Sequence, residues 1–177
     1  MMIIKRFALA GFIAVVVAMV APAAMAGTEM YFIRHADVDL KSKVKPLTEA
    51  GKKRAKALVG AMSGKPLTHI LVTDYPRTID TATPLSKDRG LDIKVIHYKG
   101  KKAIGPMANA LKGIPDGSGV LIVANSGNLF AIMSAMGVAT NDSMPCESRK
   151  CFDSNAFDNI WHVTISGGNV TMKGSKY

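Results

Sequence analysis

Cysteine is nearly missing from this chain. Its 177 residues hold two, Cys146 and Cys151. No histidine pair stands near them, so they do not make a metal site, and no metal or other cofactor is expected. Aromatic residues are also scarce, at 6%, and no nucleic-acid-binding motif is present, so nucleic acid is not indicated as a partner. Internal repeats, long linkers and low-complexity stretches are lacking, and nothing calls for a second domain. Acidic residues are outnumbered, 13 Asp and Glu against 23 Lys and Arg, for a formal net charge of +10. That balance suits anionic partners, either small phosphorylated molecules or the charged surface of an envelope.

The one long apolar run is at the N-terminus. Lys5 and Arg6 form a short basic region, Phe7 to Ala24 is almost wholly apolar, and Ala24-Met25-Ala26 has the small-x-small form of a cleavage site before Gly27. This pattern predicts a signal peptide over residues 1–26. An uncleaved anchor is the alternative, since the run is nearly long enough to span a bilayer. Residues 27–177 are enough for one domain with a full core. The expected location is periplasmic or secreted, with membrane contact only through the N-terminal segment if it is retained. Export favours a disulfide between Cys146 and Cys151, a local staple that stabilises little of the chain; two free thiols are the other reading. Residues 141–149 are polar and look like a loop over one end of the sheet.

From Glu29 onward the pattern alternates. Glu29 to Ile33 is a short apolar strand. Leu47 to Met62 reads as a helix with Leu47, Ala50, Leu58 and Met62 on one face and Lys52, Lys53 and Lys56 on the other. His69 to Thr73 is a second strand. Pro76 opens a second helix, which Pro84 is expected to kink or restart. Ile93 to Ile96, Val120 to Ala124, Ile160 to Ile165 and Asn169 to Met172 read as further strands, the last two joined by Gly167-Gly168. Ala103 to Leu111 and Leu129 to Met136 read as helices. Strand-helix alternation predicts an α/β domain with a largely parallel sheet.

In such sheets ligands bind beyond the carboxyl ends of the strands. Arg34-His35-Ala36 ends the first strand, Thr73-Asp74 the second, with Arg77 just after Pro76, and Asn125-Ser126 the fourth. Topology alone gathers these residues on one edge. A histidine there can act as a nucleophile, and arginines beside it can hold an anion.

These segments resemble the histidine phosphatase, or phosphoglycerate mutase-like, superfamily. Arg34-His35-Ala36-Asp37 resembles its opening motif. Leu47-Thr48-Glu49-Ala50-Gly51 with Arg54-Ala55 resembles its first helix start. Thr73-Asp74-Tyr75-Pro76-Arg77-Thr78 with Thr81-Ala82 resembles the segment bearing a second arginine. Val120 to Ser126 resembles the strand that ends at a second histidine, and Phe157-Asp158-Asn159-Ile160-Trp161 the final strand of small exported members. The resemblance implies a three-layer α/β/α sandwich with a mostly parallel central sheet. It implies His35 as the nucleophile that takes a phosphoryl group, with Arg34 and Arg77 on the phosphate oxygens. Asn125 and Ser126 would complete the phosphate site. The substrate would be a small phosphorylated or anionic molecule.

Asn125 departs from the family pattern, which has histidine there. Its carboxamide can donate but carries no charge, and losing a charged donor costs on the order of 100- to 1000-fold in rate. Backbone amides of Ser126, Gly127 and Asn128 can still meet an anion. The expected function is therefore an exported phosphohydrolase impaired by Asn125, or a fold that binds a phosphorylated ligand without turnover. No acid is evident after the third strand, where the chain reads Ile96-His97-Tyr98-Lys99-Gly100-Lys101-Lys102; Asp37 and His97 are weak candidates. Asp80 lies one turn from Arg77, where it can orient the arginine or simply face solvent. Lys41, Lys43 and Lys45 can steer an anion or form a solvated loop. His69 and His162 read as structural.

Overall fold

The structure, a computed structural model, describes residues 27–139 and 156–177. The 1–26 segment, the polar 141–149 stretch and the Cys146–Cys151 pair lie outside the described residues. The described chain runs β1 (Thr28–Arg34), α1 (Glu49–Ala61), β2 (His69–Thr73), α2 (Pro76–Arg89), β3 (Ile93–Ile96), α3 (Ile104–Lys112), β4 (Gly119–Ala124), α4 (Ser126–Ala135), β5 (Asn159–Ser166) and β6 (Asn169–Lys176). A six-stranded sheet has the order β3-β2-β4-β1-β5-β6. The first four strands are parallel. β5 lies antiparallel to β1, and β6 folds back on β5 as a hairpin.

The period of two along the strands builds the layers. Met30 and Phe32 of β1 point with Leu71, Val120 and Ile122 into a core closed by Met107 and Leu111 of α3 and Leu129, Ile132 and Met133 of α4. Their neighbours Tyr31, Ile33, Ile70, Val72, Leu121 and Val123 point the other way, against Leu58 of α1, Met62 just beyond it, and Ala82 and Leu85 of α2. All six residues of β4 are buried, as befits a central strand covered on both faces. The expected three-layer sandwich is the observed one, with a mixed sheet because the last two strands reverse.

Two local expectations are corrected. α2 runs unbroken from Pro76 to Arg89 with Pro84 inside it. The proline removes one helical hydrogen bond, but Ala82 and Leu85 on either side are fully buried, and their packing holds the helix through it. α4 starts at Ser126 rather than Leu129. Asn125 turns the chain out of β4, and its carbonyl accepts from the amides of Asn128 and Leu129 at 3.1 Å each.

The start of α1 is bound to the loop after β1. Thr48 caps the helix, its Oγ1 accepting from Gly51 N at 3.1 Å, while its own amide donates to the Asp37 carbonyl at 3.0 Å. A Cβ on Gly51 would sit 2.1 Å from that same carbonyl oxygen. Only glycine allows the helix this close to the residue two beyond His35.

Candidate active site

Parallel strands β1, β4 and β2 end side by side. Arg34 is in register with Ala124, and Val72 with Val123. The pairing continues one residue further, where His35 N donates to Ala124 O at 3.1 Å. His35, Asn125 and the Thr73–Arg77 turn therefore meet at the carboxyl edge of the sheet, as strand order alone required. β5 begins at the same edge, since Ile160 pairs with Ile33, and this brings Phe157 in as a further wall.

His35 is 5% exposed. Its Nδ1 lies 2.8 Å from the Ala36 carbonyl oxygen. A carbonyl only accepts, so Nδ1 carries the proton and Nε2 keeps its lone pair. Burial pushes the imidazole pKa down to about 4, and the charges of Arg77 and Arg34 push the same way, against the opposing effect of the Ala36 hydrogen bond. The ring is neutral at physiological pH, which is the form a nucleophile needs.

The loop that carries this ring is held by Thr81 of α2. Thr81 Oγ1 accepts from Ala36 N at 2.9 Å and donates to Arg77 O at 2.7 Å. One buried hydroxyl thus ties the histidine loop to the turn that carries Arg77. Thr78 Oγ1 fastens that turn to β2, donating to Thr73 O at 2.5 Å.

Arg34 and Arg77 are each held against an aromatic ring. The Arg34 guanidinium lies 4.0 Å from the centroid of Phe157, which also packs against His35 at 5.8 Å between centroids. The Arg77 guanidinium lies 4.2 Å from the Tyr75 centroid. Stacking fixes the plane of each fork.

Asn125 has a definite task here. Its Oδ1 accepts from Arg77 Nε at 2.9 Å and from Nη2 at 2.6 Å, while Nδ2 is 3.5 Å from Thr73 Oγ1. The carboxamide therefore works as an acceptor for Arg77. It does not cap α4 with its side chain. Among backbone donors, the Asn128 amide is used within the helix, while those of Ser126 and Gly127 open the first turn, where helix amides lack internal partners. Asn128 itself is 2% exposed, and among the described residues neither carboxamide atom has a hydrogen-bond partner. Such a buried polar group next to a site has capacity left for a ligand or a water.

The remaining sequence candidates fall outside this cluster. Asp37 is gripped by Arg54, with Nε to Oδ2 at 2.6 Å and Nη2 to Oδ1 at 3.4 Å. Burial works to raise its pKa, but the Arg54 contacts prevail and hold it below the ordinary carboxylate value. It is a fixed anion, and a poor proton donor. His97 is 80% exposed on its side chain and stands 3.8 Å from Asp74. Asp80 lines a groove of about 700 Å³ between α1 and α2 with Pro46, Leu47, Lys53 and Thr83; the partner that orients Arg77 is Asn125. His162 pairs with Glu29 and stacks on Tyr31 at 4.6 Å, a structural role as expected. Among the described residues, no group of His, Cys, Asp or Glu could hold a metal ion.

Thr81, Tyr75 and Arg54 stand in the motifs that carry the family resemblance, but sequence reasoning gave them no role at the site. Phe157 stands in the motif of the last strand, and its packing on Arg34 and His35 comes from the fold.

The model of the histidine phosphatase superfamily (branch 1) matches residues 30–98. No curated protein sequence matches the chain. Several solved structures share its fold. The protein histidine phosphatase SixA, complexed with tungstate, is 18% identical, with 84% of this chain and 96% of that chain covered and a TM-score of 0.62. An Escherichia coli protein described as a candidate alpha-ribazole-5'-P phosphatase is 16% identical, covering 85% and 97%, with a TM-score of 0.64. A mycobacterial glucosyl-3-phosphoglycerate phosphatase complexed with VO3 is 14% identical, covering 84% and 98%, with a TM-score of 0.59. The His35 loop, the two arginines and the sheet order fit this common architecture, and over residues 30–98 the chain matches the histidine phosphatase superfamily.

Proposed function

We propose that the protein is an exported phosphohydrolase that works through a phosphohistidine at His35. The observation that carries this reading is a buried, neutral imidazole whose proton sits on Nδ1, beside two arginines. In this mechanism Arg34 and Arg77 bind the phosphoryl oxygens. The Nε2 lone pair forms a bond to phosphorus as the bond from phosphorus to the leaving oxygen or nitrogen breaks. Water then attacks the phosphohistidine, the N–P bond breaks, and inorganic phosphate leaves with His35 neutral again. Charge neutralisation by the arginines supplies most of the stabilisation that phosphoryl transfer requires. The oxyanions complexed with two structurally similar proteins, tungstate and VO3, are phosphate-like and agree with such a site. Export rests on the basic, apolar and Ala-Met-Ala order of residues 1–26.

One observation favours a second reading, a phosphate-binding protein without turnover. Asn125 puts a neutral acceptor on Arg77, and Asp37, the nearest acid in sequence, is locked to Arg54. Leaving-group protonation then falls to water. The test is turnover of a small aryl phosphate by wild type and His35→Ala, with quenched samples assayed for acid-labile phosphohistidine. The hydrolase reading expects both signals in wild type and neither in His35→Ala. A wild type that binds orthovanadate but neither turns over nor becomes phosphorylated establishes the binding reading instead.

A further inference from the structure

Among the described residues, three large hydrophobic side chains stand out into solvent: Leu40 at 72% exposure, Val44 at 66% and Tyr98 at 52%. All three are on loops that leave the carboxyl edge of the sheet, the edge at which His35 lies. Leu40 and Val44 belong to the loop after β1, with exposed Lys41, Lys43 and Lys45 between and beside them. Tyr98 follows β3 and precedes exposed Lys99, Lys101 and Lys102. Both loops are built. The first is closed by the Val38–Leu47 bridge, by Asp39 N donating to Pro46 O at 3.0 Å, and by Lys45 N donating to Ser42 O at 3.2 Å. The second is tied to the site, because Gly100 N donates to the Tyr75 hydroxyl at 3.1 Å, and Tyr75 is the ring under Arg77. The acidic side chains on this rim are fewer. Asp39 accepts from Lys41 N, Glu49 pairs with Lys52, and Asp74 faces His97.

We propose that this rim docks the protein on an anionic lipid surface with the His35 site facing the headgroups. Leucine and valine at a loop tip would enter the boundary of the acyl chains, a tyrosine would rest at headgroup level, and lysines would meet lipid phosphates. A solvated loop that merely steers small anions has no use for two exposed branched aliphatic residues among its lysines. An acidic protein or a nucleic acid would be drawn by the lysines but would gain little from Leu40 and Val44. The pairing of both features favours the lipid surface. A site that faces headgroups has access to phosphate carried on lipids or on surface glycolipids.

Co-sedimentation with vesicles tests this. Wild type, Leu40→Ser/Val44→Ser and Lys41→Ser/Lys43→Ser/Lys45→Ser are compared as full chains, so any contribution of residues 1–26 is common to all. Vesicles are phosphatidylcholine alone, or with one part in three of phosphatidylglycerol. The expected result is preferential binding to the anionic vesicles, weakened about tenfold by the aliphatic variant and about a hundredfold by the lysine variant. Far-UV circular dichroism and thermal unfolding of both variants match wild type, which shows that they fold. Equal binding of all three proteins to anionic vesicles overturns the proposal. So does competition by heparin with no loss in the aliphatic variant, which would mark the rim as a site for soluble polyanions.

Discussion

At the scale of single residues, the site depends on how two side chains are held by their neighbours. His35 has a pKa of about 4 in the fold against an ordinary 6.5. As pH falls, the unfolded chain takes up this proton first, so folding loses stability between about 6.5 and 4 and keeps all of it above. The shift corresponds to about 3 kcal/mol. Urea unfolding at the two ends of that window should show the loss in wild type, and His35→Asn should flatten that part of the pH profile. A wild-type profile that is equally flat would mean that the ring is not buried as described. Arg77 and Asn125 form the second case. Because Asn125 accepts from the arginine, it should act through it. Arg77→Leu is expected to weaken orthovanadate binding about tenfold to a hundredfold, and Asn125→Leu about tenfold. The double variant should resemble Arg77→Leu alone. Additive losses would instead assign Asn125 to direct contact with the oxyanion.

At the scale of elements, the site is a junction of strand ends joined by hydroxyls. Thr81 links the His35 loop to the first turn of α2. Thr81→Val keeps the volume but leaves the buried Ala36 amide without its acceptor, a loss of about 1–3 kcal/mol. Calorimetry should show a lower Tm, and turnover should fall by more than the stability change explains, because the imidazole loses its fixed height above the sheet. Unchanged turnover would reduce Thr81 to a packing residue. The motif Leu47-Thr48-Glu49-Ala50-Gly51 was legible in sequence as a helix start, and its position explains it: Thr48 and Gly51 both bear on the Asp37 carbonyl. The unbroken course of α2 through Pro84 was not legible, since local propensity argues for a break and only the buried neighbours Ala82 and Leu85 overrule it.

At the scale of the molecule, positive charge is gathered where the parallel strands end. Six rim lysines, Arg34 and Arg77 share the edge to which strand order brings His35. Association with an anionic substrate should therefore be faster at low salt. The kcat/KM for an aryl phosphate is expected to fall severalfold as ionic strength rises through the physiological range, where the Debye length is about 8 Å, with kcat little changed. A salt-independent kcat/KM would show that the rim does not guide this substrate. The scarcity of large apolar side chains elsewhere on the described surface gives Leu40, Val44 and Tyr98 their meaning.

Much was settled by sequence because it is local or periodic. Alternation of strands and helices dictated the layers, and the carboxyl-edge rule collected Arg34, His35, Arg77 and Asn125. The ordered motifs carried the resemblance to the family. What the tertiary structure decided are the pairings across long separations: Asn125 as acceptor for Arg77, Phe157 between Arg34 and His35, Arg54 on Asp37, and Thr81 under Ala36. None has a sequence signature, because a hydrogen bond or ring contact between distant residues depends on side-chain direction and on which strands become neighbours. Asn125 shows the difference. Its place at the end of β4 was evident from the chain alone, but whether its carboxamide gives or accepts a hydrogen bond was set by the arginine that another strand delivers beside it.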